Sequence, residues 1–376
     1  MKIYQLITLL LISTLAQAQI VDIPDANFKY ALINLYVVDN NGDGIGDNDV
    51  DINNDGEIQE SEAEIVSGLI LPPNYFIYSI EGIESFINLI EIFIETNPLT
   101  EIDFSQNINL EKIYCNNNNQ LSILDVSQCI NLIELECRYN IIEEINVSQC
   151  INLKELWVFG NNLSNLNVSN NLELEKLSFG DNQISNIDVS QNVNLKMLSF
   201  DGTNVSTLDV SQNPNLEILF FSLNSINNLD LSQNHNLKDL RVTNSQLTNL
   251  NIKNGNNNNL IYMLTENNPN LTCIQVDDVD YANNQYCDDD NWCKDEWTNY
   301  SENCILGITN FDLYNINIYP NPVQNTLNII TEFPIDLIKI YTLQGQLLNE
   351  TKNNQVDVSL LSSGLYFVSV TIEGKK

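Results

Sequence analysis

From Leu124 to Leu250 the apolar positions of the chain return every 21 residues. Leucine stands at Leu132, Leu153, Leu174, Leu195, Leu216 and Leu237, and again three residues on at Leu135, Leu156, Leu177, Leu198, Leu219 and Leu240. Two residues further lies a mixed apolar column of Cys137, Val158, Phe179, Phe200, Phe221 and Val242. Asn140, Asn161, Asn182 and Asn224 close each segment, with Thr203 and Ser245 as substitutes. Within a unit the inward residues alternate with polar ones, which is the period of a half-buried strand. One short strand per unit is therefore predicted, and the units stack into a parallel sheet spaced about 4.8 Å per turn.

A unit of this length cannot bury its own apolar face, but neighbouring units bury each other's. The recurring asparagine is expected to point inward and bond backbone groups at the bend, because buried backbone polar groups need partners. A hydroxyl supplies only part of that bonding, so the turns of Thr203 and Ser245 are expected to be looser. The pattern L-x-x-L-x-L-x-x-N-x-L resembles the leucine-rich-repeat family over more than half the chain. Further turns fit at Leu89-Ile92-Ile94-Asn97, at Leu110-Ile113-Cys115-Asn118 and at Leu260-Met263-Thr265-Asn268. Together they predict about nine turns and a sheet roughly 40 Å long, beginning near Ile80.

Strand residues that alternate away from the core form an exposed face, which the family resemblance makes concave. Its central column reads Phe93, Tyr114, Glu136, Trp157, Ser178, Ser199, Phe220, Arg241, with Phe159 one column over. Aromatic and arginine side chains are the types enriched in binding hot spots. Phe93, Tyr114, Trp157, Phe159, Phe220 and Arg241 are thus the candidate ligand-binding residues, for a protein or a glycan. A second polar column, Asp125, Asn146, Asn167, Asp188, Asp209, Asp230 and Asn251, is expected to bond backbone at the opposite corner.

Ahead of the repeats, residues 1–18 read as a signal peptide. Lys2 is basic, Leu6 to Leu15 is apolar, and Ala16-Gln17-Ala18 is a small-x-small cleavage site. The apolar run is shorter than the ~20 residues a membrane span requires, and no other segment is longer. Asp25 can cap a helix over 26–37 whose apolar face carries Phe28, Leu32 and Leu35, covering the first repeat. Next, Asp51, Asn53, Asp55, Gly56 and Glu62 fit the calcium-loop pattern D-x-(D/N)-x-(D/N)-G-x5-E. The loop resembles that of an EF-hand, without an entering helix. Ca2+ takes six to eight oxygens: side-chain oxygens from Asp51, Asn53 and Asp55, the Glu57 carbonyl, Gln59, and both oxygens of Glu62. A weaker second loop runs through Asp39, Asn41, Asp43 and Asp47, where Val50 takes the closing position.

A formal charge of −35 and a pI of about 4.1 argue against nucleic acid and anionic lipid as partners. Of the eight cysteines, Cys115 and Cys137, and likewise Cys129 and Cys150, occupy equivalent positions in adjacent turns and read as compact buried hydrophobes. Cys273, Cys287, Cys293 and Cys304 follow the last repeat and, in an exported chain, read as a disulfide-stapled cap. Three pairings are open; the nested one, Cys273–Cys304 around Cys287–Cys293, is expected. Beyond a linker at 305–316, short alternating strands with turn signals predict a small β-sandwich over 317–376. Tyr319-Pro320-Asn321-Pro322 and Gly364-Leu365-Tyr366-Phe367-Val368 resemble the C-terminal sorting domain of type IX secretion cargo in Bacteroidetes. That resemblance implies export by the type IX machinery to the outer-membrane surface or the medium. Such domains usually continue through a further basic segment, where this sequence ends at Gly374-Lys375-Lys376.

The expected organisation is mainly β: a signal peptide at 1–18, an N-terminal cap with calcium loops at 19–79, and a leucine-rich-repeat solenoid at 80–272. A stapled cap at 273–304, the linker and the sorting domain follow. No nucleophile elbow, phosphate loop or His/Cys metal cluster is visible, and a single histidine leaves little for acid–base catalysis. The leading function class is an extracellular binding protein, an adhesin or recognition module. The alternative is a structural surface or spacer protein.

Overall fold

The computed structural model describes residues 19–287, 291–304, 316–331, 334–343 and 345–372. The expected signal peptide at 1–18, the 305–315 stretch and Gly374-Lys375-Lys376 lie outside them. Two compact units divide at Cys304.

The first unit is a mainly β solenoid of about ten turns. Its front sheet has eleven strands among the described residues, from Gly68–Ile70 through Glu134–Glu136, Glu155–Trp157 and Lys176–Ser178 to Trp292–Cys293, all parallel. Register is strict: Leu135 pairs with Leu156, Leu156 with Leu177, Leu177 with Leu198, and each leucine column is buried. Burying one such side chain contributes about 1.5–3 kcal/mol, so the stacked columns supply the stability that no single turn has. Phe179, Phe200 and Phe221 fill the third column as a face-to-face stack, with centroids 5.1 and 5.0 Å apart.

The parallel sheet runs past both expected limits. Gly68–Ile70 pairs with Glu91–Phe93 inside the segment expected as cap, and Trp292–Cys293 pairs with Met263–Leu264 inside the stapled region. Around the first end strand Val66, Leu69, Leu71 and Asn74 keep the repeat spacing with one leucine replaced, whereas the last end strand, Trp292–Cys293, does not. Asp25 caps the helix Ala26–Asn34, accepting from the Asn27 and Phe28 amides. Phe28, Ala31 and Leu32 of this helix are buried in the core. Val38 makes an antiparallel bridge to Leu69, closing the sheet's first edge. At the other end Cys273 pairs with Cys304 and Cys287 with Cys293.

The corners are built from asparagine rows. Asn118, Asn161, Asn182 and Asn268 are buried, and each Nδ2 donates to carbonyls of its own and the preceding turn. Thr203 Oγ1 reaches Phe200 O at 3.4 Å and Asn224 Oδ1, whereas Ser245 Oγ donates to Thr243 O. The Asp125 column accepts from the backbone two residues on: Ser127, Ser148, Ser169, Ser190, Ser211, Ser232 and Lys253 donate their amides.

A second buried row was not predicted. Asn107, Asn171, Asn192, Asn213 and Asn234 are fully buried in the S-Q-N turns (S-N-N at Asn171), each Nδ2 donating to two backbone carbonyls. Cys129 and Cys150 take the same place. Their Sγ atoms donate to Phe104 O and Val126 O at 3.6 and 3.5 Å.

The second unit has two three-stranded antiparallel sheets around Leu327, Ile329, Ile338, Ile340 and Val356. The Tyr319–Pro320 and Asn321–Pro322 peptides are cis. Tyr366 donates its hydroxyl to Ser362 O at 2.7 Å, and Gly364 lies exposed beside it.

Candidate functional site: the outward face of the front sheet

Alternation turns residues 93, 114, 136, 157, 178, 199, 220 and 241 out of the core, in register across the strands. All six expected ligand-binding residues lie on this outward face. The aromatics, however, do not stand alone; each packs against a neighbouring turn, since apolar area one sheet spacing away is cheaper to cover than to hydrate.

Two clusters result. In the first, Phe93 and Tyr114 stack with centroids 4.3 Å apart at 8°. The Tyr114 hydroxyl donates to Glu134 Oε2 at 2.9 Å. Burial, then this bond to a carboxylate, pushes the Tyr114 pKa far up; burial raises Glu134, against the lowering effect of the same bond. Asn116 donates to both Glu95 and Glu136, and Arg138 pairs with Glu136 at 2.8 Å. The Arg138 guanidinium lies 4.6 Å over the Trp157 ring, and Trp157 Nε1 donates to Glu155, itself paired with Lys176 at 2.8 Å. Arg138 Nε is buried with no hydrogen-bond partner among the described residues.

Phe159 rests where Gly180 has no side chain: a Cβ there would come within 2.8 Å of the ring. Tyr139, half exposed, meets Phe159 edge-on at 5.4 Å. Sequence reasoning missed Tyr139, because it sits one residue past the outward column, at a left-handed turn.

The second cluster centres on Arg241, 5.0 Å over Phe220 and 5.5 Å over Tyr262. Asp239 holds the guanidinium by two bonds of 2.9 Å. Tyr262 was also missed, since an insertion before its turn shifts the repeat. Each cation–π contact contributes about 0.5–1 kcal/mol at such half-exposed sites. Between the clusters lie Ser178 and Ser199, three strand spacings from Trp157 to Phe220, about 14 Å. Beside them burial raises the Asp201 pKa, offset in part by bonds from Ser222.

The two N-terminal loops share one backbone course, offset by twelve residues. Asp39 accepts from the Gly42 and Gly44 amides; Asp51 accepts from those of Asp55 and Gly56. Asp39, Asp51, Gln59 and Glu62 are buried. The Glu62 oxygens accept from the Asn53 and Gln59 amides, Asn53 donates to Gln59, and Gln59 donates to Asp55. Lys29 pairs with the Glu57 carboxylate. In the weaker loop Asn41 donates to Asp47 at 2.8 Å, and Asn41 and Asp43 each accept from a backbone amide two residues on. Burial, then the Asp51 and Glu62 charges, raises the Asp49 pKa.

Residues 317–376 match a family model described as the secretion system C-terminal sorting domain. No curated protein matches the chain. Among solved structures, the chain is similar to the functional domain of InlJ from Listeria monocytogenes, which includes a cysteine ladder. The identity is 21%, over 68% of this chain and 75% of that one, with a TM-score of 0.41. A leucine-rich-repeat protein of Leptospira interrogans is 19% identical over 57% of this chain and 68% of its own, with a TM-score of 0.45. Internalin C2 of Listeria monocytogenes is 18% identical over 67% and 93%, with a TM-score of 0.43. No helix among the described residues is long and apolar enough to cross a membrane. The chain is a leucine-rich-repeat solenoid joined to a type IX secretion sorting domain, and so a secreted or cell-surface protein addressed to the type IX machinery.

Proposed function

We propose that the outward face binds a protein segment or a glycan, making the chain an exported recognition or adhesion module rather than an enzyme. The observation that carries this reading is the pair of aromatic–guanidinium clusters flanking the short side chains of Ser178 and Ser199. Rings held in place by neighbours lose little rotamer freedom on binding, which favours affinity. Two such anchors suit an extended ligand lying across the strands. The test is a glycan- and protein-array screen of the exported chain, repeated with Trp157→Ala. The variant keeps the fold, because Trp157 stands outside the core, and loses ~2 kcal/mol of binding at a hot spot. Unchanged binding of every ligand found would transfer the reading to a spacer.

The N-terminal cap is proposed to be stabilised by Ca2+. The Asn53, Gln59 and Asp55 side chains are hydrogen-bonded in series, the Asp51 and Glu62 carboxylates accept backbone amides of the same loop, and Gln59 Nε2 also reaches the Glu57 carbonyl. The donor set is all oxygen, as a hard cation requires. Asp39, Asn41, Asp43 and Asp47 would hold a second ion more weakly. Titration calorimetry should register binding, and Glu62→Gln should weaken it at least about tenfold by removing a bidentate carboxylate. A melting temperature indifferent to calcium and chelator would sink the stabilising role, because binding to the folded state alone must raise stability.

A further inference from the structure

Between its two clusters the outward face forms a trough with tall walls and a bare floor. At the position just before each corner residue, Tyr139 and Leu223 are exposed and stand four turns apart, about 19 Å along the sheet. Gly160, Asp181 and Gly202 hold that position in the turns between. Ser178, Gly180 and Ser199 leave the adjoining columns low. The rings of one wall cover the glycines: Tyr139 comes within 2.9 Å of where a side chain on Gly160 would begin, and Phe159 within 2.8 Å of where one on Gly180 would. Gly180 also lies against the Asp201 carbonyl, and the Asp181 amide donates to that same oxygen at 2.7 Å. Phe159, Asp181 and Asp201 therefore surround one bare stretch of backbone.

The same face shows twice how it holds a cation. Arg241 lies over Phe220 and Tyr262 and is clamped by Asp239; Arg138 lies over Trp157 and pairs with Glu136. Each is a ring with a carboxylate beside it, which adds cation–π attraction to an ion pair. Phe159 with Asp181 and Asp201 repeats that combination, and no cation among the described residues lies over Phe159 or pairs with either aspartate. Nor has the face one to spare, since Lys112, Arg138, Lys176 and Arg241 are each ion-paired. Asp201 is only half exposed; burial, and after it the Asp181 charge, raises its pKa against the bonds from Ser222. An incoming cation relieves both. An anion would meet two carboxylates with no counter-charge, and a neutral hydroxyl would gain no more than an ordinary hydrogen bond.

We infer that this trough takes the guanidinium or ammonium group of an extended protein segment, with the cation over Phe159 and between Asp181 and Asp201. The inference rests on the reading of the outward face as a binding face, and within it selects a basic segment over a glycan. Trp157 and Phe220, on either side, receive the neighbouring residues of the segment. Fluorescence anisotropy of the full exported chain tests it in about 0.15 M salt, where exposed charges are screened beyond ~8 Å. The labelled probes are alternating serine–arginine, serine–glutamine and serine–glutamate peptides of equal length, and a neutral gluco-oligosaccharide. The arginine peptide should bind at least about tenfold tighter than each of the others. Asp181→Asn with Asp201→Asn should weaken it at least about tenfold, and Asp181→Asn alone about threefold. Asp209→Asn with Asp230→Asn makes the same charge change at a corner where other turns carry Asn146 and Asn167, and should leave it unchanged. Phe159→Leu keeps the apolar cover and the net charge, and should weaken the arginine peptide about threefold by removing the ring face. The aspartate variants keep the shape of the side chain, so their melting should match wild type. Arginine-peptide binding that the two aspartate pairs reduce equally belongs to the charge of the whole chain and overturns the inference, as does no binding at about 1 mM. A glutamine peptide or oligosaccharide bound at least as tightly, and lost in Trp157→Ala but not in the aspartate variants, overturns the inference while leaving the outward face a binding face.

Discussion

The solenoid has two buried polar rows, one at each corner of the turn, and they tolerate different substitutes. In the row after the strand, both ends of the amide are used. Asn161, Asn182 and Asn268 donate through Nδ2, and their Oδ1 atoms accept from the Ile142, Leu163 and Leu247 amides. Asn140 is the exception, its Oδ1 without a partner among the described residues; the preceding turn, which would supply the amide, carries one extra residue between Asn118 and Asp125. In the row before the strand only the donor is used: Oδ1 of Asn107, Asn171, Asn192, Asn213 and Asn234 has no partner among the described residues. The replacements follow. Threonine and serine, which both donate and accept, enter the first row; cysteine, a weak donor, enters the second. Which half of a side chain the backbone requires decides what evolution can put there.

That comparison can be broken by exchange. Asn161→Ala should have the largest effect, on the order of 2 kcal/mol in urea unfolding, because it strands the Ile142 amide and takes one of two donors from each of the Cys137 and Val158 carbonyls, which keep Asn140 and Asn182. Next, Asn161→Cys should cost about 1 kcal/mol more than Asn192→Cys, since only the first leaves an amide unpaired. Equal costs would erase the distinction between the rows. The thiol row then gives a pH test. Burial pushes Cys129 and Cys150 from 9.0 up to about 12. The folded state therefore keeps these protons while the unfolded chain loses them. Stability should fall as pH rises from about 9 to about 12, by ~1.4 kcal/mol per pH unit for each thiol. Replacing both by asparagine should reduce that slope by their share, leaving the part that Cys115, Tyr114 and Tyr300 contribute, and an unchanged slope would mean the two thiols are not among the groups responsible. The smallest effect is expected at neutral pH, where Cys150→Asn alone should change stability by less than about 1 kcal/mol.

The repeat was legible because period and pattern coincide: the strands of the central turns, the inward leucines and the first asparagine row all fall where the sequence puts them. So were the helix cap at Asp25 and the nested pairing of the four late cysteines. The second row was hidden in plain sight. Ser-Gln-Asn reads as a solvated turn, and only the fold reveals that its third residue is tucked under the corner. Cys129 and Cys150 were read as hydrophobes for the same reason. On the outward face, alternation gave the side of the sheet but not the rotamers, so the stacking of Phe93 on Tyr114 and of Arg138 on Trp157 could not be read. Neither could Tyr139, which a left-handed turn swings beside Phe159.

A structure made of identical steps has no inherent length, and its open ends are templates for more of the same. Here the first step is closed by a single bridge that runs the wrong way. Val38 bridges Leu69 antiparallel, and Asp39 O lies 2.0 Å from where a side chain on Gly68 would begin. Another parallel turn has nowhere to dock at that edge. The last front strand is closed differently, by the bond between Cys287 and Cys293. The two ends act as terminators of a polymer whose monomer is the repeat, so the number of turns can drift by whole units while the molecule stays finite and does not grow into a fibre.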